Sequence, residues 1–593
     1  MSIDVYDATD HSSVYVELIK EKIDMKRLTF GIPENLVPSK FCLGFNYQES
    51  DVLFNSKQIV FKQVKTGIVL EWEAEADTQV FGFGLQLKKF NFTGSKVITR
   101  VNADPVSSCG EGHAPVPLLL TNKGYGIYFD TARYAEFYCG IKRVDEDEQQ
   151  VDDKVKIMTS TEELYAARQS EGTTWISVHI PHVKGVDIYV IEGDTITDIV
   201  SQYNMLSGGG PDVPEWGLGV MYRCCTDYNE ESVRRTAKYF RDNDIPCDIL
   251  GLEPGWQSRA YSCSFVWAEG RYPNPKELVQ DLRKAGYHIN VWEHAFTHPE
   301  SPIYEELKQY SGDYKVWNGL VPDFALPQAK EIFADHQRKE LVELGIDGFK
   351  LDECDGSDNT GGWTFPNHSE FPSGLDGEQY HSLLGTLYAQ TMLQTLEGQP
   401  TFSEVRNMGA LAASYPFVLY SDLYDHRDFV RGTVTSGMSG LLWSPEVRHA
   451  ESKKDLLRRL QSVVFSVQCV INGWYCSEVP WKELDCENEV RELLKLRESL
   501  VPMLKEAFDC YRETGKPPVR ALVMDYTDDA EVYKIDDEYM FCDNLLVAPI
   551  IGTESDEREV YLPAGEWENF FTGEKVEAGR FKVRTEGIPV YKK

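Results

Sequence analysis

The chain has 593 residues, 42% hydrophobic and 26% charged, which is enough for two to four globular domains. A formal net charge of −35 excludes a nucleic-acid partner gripped through clustered cations, and equally an anionic membrane surface. No apolar run is long enough to span a bilayer, the amino terminus shows no leader, and 13 cysteines without paired CxxC spacing fit reduced thiols in the cytoplasm.

Along residues 1–212 the pattern predicts a β-sandwich. Segments 58–62, 67–74 and 124–130 alternate apolar with polar residues between short turns. The small and rigid residues of 206–214 mark its end. From 213 to 508 short apolar runs alternate with amphipathic helical stretches, which predicts a (β/α)₈ barrel. Its strands are expected at 217–222, 247–252, 288–292, 348–352, 400–404, 417–422, 440–443 and 469–472. A helix over 327–344 is closed by Gly345, and another is expected near 490–508. Residues 509–593 return to β character, with strands at 531–535 and 545–550, and predict a small second sandwich.

Functional side chains of such barrels sit at the carboxyl ends of the strands. The expected strand ends carry Asp227, Glu253, Glu293, Asp352, either Glu404 or Arg406, Asp422 and Glu446. A mostly acidic ring without clustered His or Cys suits glycosidic bond cleavage, which needs a nucleophile or base and a proton donor. In 348–352, alternation puts Lys350 and Asp352 on one face, pointing into the barrel. A neighbouring ammonium favours the ionised carboxylate that a nucleophile needs, although a structural Lys-Asp pair has the same pattern. Trp292 and Trp443 fall at or near strand ends, where a ring can face a sugar, and Trp363 lies in a polar insertion that could cover the site. Glu293, His294, His298 and Glu300 form the one candidate metal cluster, but their spacing matches no strong metal motif.

The run from Val321-Pro-Asp-Phe through Pro327 to Gly345-Ile-Asp-Gly-Phe-Lys-Leu-Asp352 resembles the fourth-strand signature of glycoside hydrolase family 31. His113-Ala-Pro, Asp130-Thr-Ala-Arg, Pro214-Glu-Trp-Gly-Leu-Gly, Leu545-Leu-Val-Ala-Pro and Tyr561-Leu-Pro-Ala-Gly-Glu-Trp resemble further parts of it, in the family's order. The resemblance implies a retaining α-glycosidase that needs no cofactor and no metal. Asp352 is the implied nucleophile. Arg406 and Tyr420-Ser-Asp422 resemble the family's Arg and acid/base pair, which makes Asp422 the implied acid/base, with Asp425 and Asp428 as close alternatives. Asp227, Glu253, Trp256, Trp292, Lys350, Arg406 and Trp443 are the candidate substrate contacts.

The sequence departs from α-glucosidases of the family at three places. The stretch that carries their O4-binding Asp reads Glu253-Pro-Gly255-Trp256 here, the post-strand-seven motif is Ser444-Pro-Glu446-Val-Arg448, and the strand-eight Arg-x-His is absent around Ile471-Asn-Gly-Trp474. Lost hydroxyl contacts change which sugar is accepted, and α-galactose becomes the expected terminal sugar of an oligosaccharide or glycoside substrate, with α-glucose and α-xylose as alternatives. The family's distal carboxyl-terminal domain is expected to be missing. Transglycosylation, a non-catalytic sugar-binding barrel and a metal-dependent hydrolase remain as other functions, and a homo-oligomer is left open.

Overall fold

The computed structural model describes residues 13–18, 22–38, 45–48, 59–143 and 173–593. Gln58 of the first expected strand, Cys42 and the amino-terminal residues read for a leader lie outside these. Two antiparallel sheets form the amino-terminal sandwich. The larger has seven strands and ends in the pair Pro115–Thr121 and Val80–Gly84; the smaller has five, centred on Gly67–Ala74, Thr173–Pro181 and Glu136–Arg143. Leu28, Phe30, Leu70, Trp72, Phe129, Phe137 and Val178 fill the space between them, all fully or nearly fully buried. Alternation along each strand supplies these inward faces.

Eight parallel strands follow: β1 Val220–Arg223, β2 Ile249–Leu252, β3 His288–His294, β4 Gly348–Asp352, β5 Ser403–Val405, β6 Phe417–Leu419, β7 Glu446–Val447 and β8 Cys469–Asn472. They pair in the order β6-β5-β4-β3-β2-β1-β8-β7. The ring closes without a ladder between β6 and β7: Leu419 N–H donates to the Leu442 carbonyl at 2.8 Å, and Ser444 N–H donates to the Leu419 carbonyl at 3.0 Å. The seventh strand is therefore displaced from the expected 440–443. Pro445 has no N–H to give a ladder, so the pairing with β8 starts only at Glu446.

The chain enters β4 from the helix Pro327–Glu340, which starts on proline, and from a 3₁₀ turn that ends on Gly345 at φ 109°. That left-handed position is one that glycine takes without steric cost. In β4, Phe349 and Leu351 are fully buried outward, which leaves Lys350 and Asp352 facing the barrel interior.

The helix Glu487–Thr514 runs past the expected boundary at 508, and a six-stranded sheet with a separate two-stranded ribbon follows it. Residues 531–535 do not form the expected strand. They lie mostly in the 3₁₀ helix Ala530–Lys534, started by the Asp529 carboxylate accepting from Glu531 N–H at 3.0 Å. The amino-terminal sandwich docks on the helix His426–Ser436 after β6 and on the 3₁₀ turn Gly437–Ser439 that follows it: Thr435 Oγ1 donates to the Gln86 carbonyl at 3.0 Å and Ser439 Oγ accepts from Gly84 N–H at 3.0 Å. Among the described residues, no helix is long and apolar enough to cross a membrane.

Candidate active site

Asp352 ends β4 under the barrel mouth. Its Oδ2 accepts from the Trp292 indole at 2.6 Å, and its Oδ1 accepts from Glu353 N–H at 2.9 Å. Burial raises its carboxyl above the usual range, against the opposing charges of Arg406 and Lys350. The indole N–H, held on β3, fixes the carboxylate's orientation. Trp292 is itself almost fully buried, so the candidate sugar contact is better described as a support for Asp352.

Asp422 follows β6 with a side chain 60% exposed. Arg406 Nη1 donates to its Oδ2 at 2.5 Å, and Arg448 Nη2 donates to its Oδ1 at 2.9 Å. Partial desolvation works against ionisation, but Arg406 and Arg448 prevail and hold the carboxyl well below the usual range. Arg406 Nε also lies 3.8 Å from Asp352 Oδ1. One guanidinium thus touches both carboxylates. The two alternatives to Asp422 are engaged elsewhere: Asp425 caps the helix His426–Ser436, accepting from Asp428 N–H at 3.0 Å, and buried Asp428 is paired with Lys88 of the sandwich.

A layer of buried charges lies below. Lys350 reaches Glu446 at 3.3 Å and Glu253 at 3.8 Å, with its ammonium 4.3 Å over the Tyr420 ring. Arg223 binds Glu253, and donates to Glu404 at 2.6 Å and Asn290 at 2.8 Å. Burial pushes the Glu404 carboxyl up to about 7 against the pull of Arg223. Paired in this way, Glu253 and Lys350 are wall rather than sugar contacts. Buried ions of this kind add little stability as pairs, but removing one partner strands the other.

The structure does not bring the remaining candidates to the site. Trp256 is fully buried and donates to the Trp292 carbonyl at 2.6 Å. Trp443 is buried and donates to the Phe429 carbonyl at 3.2 Å. Both rings pack in the core, Trp256 from the turn after β2 and Trp443 from the seam ahead of β7. Asp227 is 84% exposed, and its nearest cation is Arg271 at 3.7 Å. Trp363, in the insertion after β4, is 42% exposed. Glu293 and His294 occupy opposite faces of β3. Glu293 meets Tyr388 of the outer helix layer, whereas His294 meets Trp292 and Tyr261. They cannot share one ion in this arrangement, and Glu300 pairs with Arg259 instead.

Sequence reasoning missed four residues here. Arg448 brackets Asp422 and binds Glu446; Asp355 accepts from Arg406 Nε at 3.0 Å; Tyr261, 52% exposed, has its ring 5.5 Å from that of Trp292. Glu353 has a left-handed backbone at φ 55°, and burial together with the Asp352 charge pushes its carboxyl up to about 9. Arg448 lies two residues beyond the strand-end Glu446 and could have been found by alternation. Tyr261 comes from an irregular loop and gave no such signal.

Position 255 is closed to side chains. A Cβ on Gly255 would lie 1.9 Å from the Thr226 carbonyl oxygen and 2.3 Å from Arg271 Nη1.

Burial pushes the Glu293 carboxyl from an ordinary 4.5 up to about 8. It therefore stays protonated in the folded chain over a range where the unfolded chain has released the proton. Its contribution to stability is full below about pH 4.5 and is lost as pH rises towards 8. Glu293→Gln, which keeps a neutral group and an acceptor for Tyr388, should gain on the order of a few kcal/mol over the parent at pH 8 and little at pH 4.5. Denaturant titrations at both pH values check this; a difference independent of pH would show that Glu293 is ionised in place.

Residues 210–507 match the family description "Glycosyl hydrolases family 31 TIM-barrel domain", and residues 515–593 match "Glycosyl hydrolase family 31 C-terminal domain". The chain belongs to glycosyl hydrolase family 31. Within this family it is 25% identical over 541 residues to the α-xylosidase XylQ of Lactiplantibacillus pentosus, covering 85% of this chain and 65% of that one. It is 27% identical over 450 residues to α-glucosidase 2 of Bacillus thermoamyloliquefaciens, covering 68% and 56%. The chain spans about two thirds of the length of the curated relatives first matched, 65%, 67% and 64%. Its fold is similar to that of the Flavobacterium johnsoniae family 31 dextranase complexed with glucose, with a TM-score of 0.77 at 20% identity over 100% of this chain and 73% of that one. It is also similar to a cycloalternan-degrading enzyme from Trueperella pyogenes, with a TM-score of 0.75 at 18% identity over 96% and 85%.

Proposed function

We propose that this family 31 chain is a retaining exo-α-glycosidase in which Asp352 attacks the anomeric carbon and Asp422 serves as acid and then base. The observation that carries this reading is the contrast between the two carboxylates that Arg406 touches. Asp352 is sheltered and oriented by the Trp292 indole, as an in-line nucleophile requires. Asp422 is open to solvent and able to exchange protons with a leaving group or water. The three units are read as 1–212, 213–508 and 509–593, with the barrel carrying both carboxylates. All twelve cysteines among the described residues are free thiols, which suits a reducing compartment such as the cytoplasm.

The terminal sugar is proposed to be α-galactose. Gly255 stands where related α-glucosidases hold O4 through an Asp, and no side chain fits there, so an equatorial O4 loses its anchor. A second reading, α-xylose, is favoured by the three relatives described as α-xylosidases. A panel of nitrophenyl α-glycosides decides between them. Galactoside cleavage at least tenfold faster in kcat/KM than the rest is the expected result, preference for xyloside transfers the assignment to the second reading, and preference for glucoside defeats both.

A further inference from the structure

His113 is fully buried, and it belongs to the amino-terminal sandwich, just before the strand Pro115–Thr121. Its two ring nitrogens nevertheless end in the barrel. Nδ1 lies 2.7 Å from Asp355 Oδ2, and Nε2 lies 2.7 Å from Ser421 Oγ. The Asp355 partner settles the proton on Nδ1. Asp355 is ionised, held below the usual range by Arg406 and His113 against its burial, so it can only accept, and Nδ1 carries the proton. Nε2 shares its bond with the Ser421 hydroxyl, whose oxygen also accepts from Leu423 N–H at 3.0 Å.

Both contacts converge on Asp422. Through Asp355, the imidazole supports Arg406, since the same Oδ2 accepts from Arg406 Nε at 3.0 Å and Arg406 reaches Asp422 at 2.5 Å. Through Ser421, it fixes the residue immediately before Asp422, whose carbonyl accepts from Arg448 Nη2 at 2.7 Å. We infer that His113 is a positioning residue, by which the amino-terminal sandwich sets the orientation of Asp422 and its two arginines. The sandwich is then a working part of the site and not only a cover. This inference rests on the proposed role of Asp422.

The step that Asp422 assists is protonation of the leaving oxygen, so misplacing it should matter most when the leaving group is poor. His113→Phe keeps the ring and loses both bonds. His113→Asn retains an amide N–H near the Nδ1 position and can still donate to Asp355. Each is assayed with α-galactosyl fluoride, whose fluoride leaves with little acid help, and with methyl α-galactoside, using the xylosyl pair if the panel selects xylose. Asp422→Asn is measured in parallel, and thermal unfolding reports whether each variant is folded. The expected result is a loss in kcat/KM of at least tenfold on the methyl glycoside with less than threefold on the fluoride for His113→Phe, and partial recovery in His113→Asn. Equal losses on both substrates, or none, overturn the inference while leaving Asp422 in place if Asp422→Asn itself discriminates between them. Where Asp422→Asn does not discriminate, the reading of Asp422 and the role of His113 fall together. Should His113→Phe not fold, His113→Asn decides: a selective loss on the methyl glycoside supports the inference, and parent-like or uniform activity overturns it.

Discussion

Asp352→Ala should lose turnover on every α-glycoside by on the order of 10⁴-fold or more, while the protein stays folded. The carboxylate is the covalent partner of the sugar in the proposed mechanism, so nothing else in the barrel can replace it. Lys350 is committed to Glu446 and Glu253, and Glu353 keeps its proton beside the Asp352 charge. Alanine also leaves a small space on the face from which Asp352 attacks. Azide can occupy it and attack an activated glycosyl fluoride directly, giving the β-glycosyl azide with fluoride as the leaving group. Product anomeric configuration by NMR is the measurement. Residual activity above one per cent of the parent, or an α-configured azide, would remove Asp352 from the nucleophile's role.

Asp422→Ala should behave differently, with a loss of about 10²- to 10⁴-fold that depends on the leaving group. Glycosylation by an activated fluoride should survive, and hydrolysis of the covalent intermediate should become slow, because no base is left to take the proton from water. Pre-steady-state assays then show a burst. Azide, which needs no base, should restore turnover and yield the α-glycosyl azide, since it attacks the β-linked intermediate from the opposite face. A uniform loss on all substrates without azide rescue would assign Asp422 to binding alone. In the free chain Arg406 and Arg448 hold Asp422 ionised, so it stands ready as a base. To act first as an acid it must gain a proton as substrate arrives, which requires the sugar or its leaving group to draw at least one guanidinium away.

Much of this architecture could be read from the chain itself, and the reasons differ by element. β4 and β8 fall at the expected residues because each is an apolar run bounded by sharp turn signals, and Lys350 and Asp352 follow from period-two alternation. β7 was displaced because Leu441, Leu442 and Trp443 have strand-like composition but serve the seam to β6 ahead of Pro445. The segment 531–535 looks like a strand by composition, yet a capping Asp529 winds most of it into a 3₁₀ turn. In the site, strand-end carboxylates were legible as a set. Which of them face a sugar and which only neutralise Arg223 and Lys350 depends on contacts across the barrel. Trp256 and Trp443 show the same limit, because an aromatic residue after a strand reads alike whether it stacks on a ligand or fills the core.

The crowding at Gly255 has an evolutionary meaning. The Thr226 carbonyl oxygen and the Arg271 guanidinium, which donates to that oxygen at 2.7 Å, occupy the volume that any side chain at 255 would need. A lineage ancestral to this chain with an Asp there could lose it in one substitution, but once the neighbouring loops had settled into the vacated space, one substitution could not restore it. A side chain at 255 would require the turn after β1 and the Arg271 side chain to move together. Further change around the two carboxylates is therefore channelled to other positions, such as Tyr261 against Trp292, Glu353 beside Asp352 and Arg448 on Asp422.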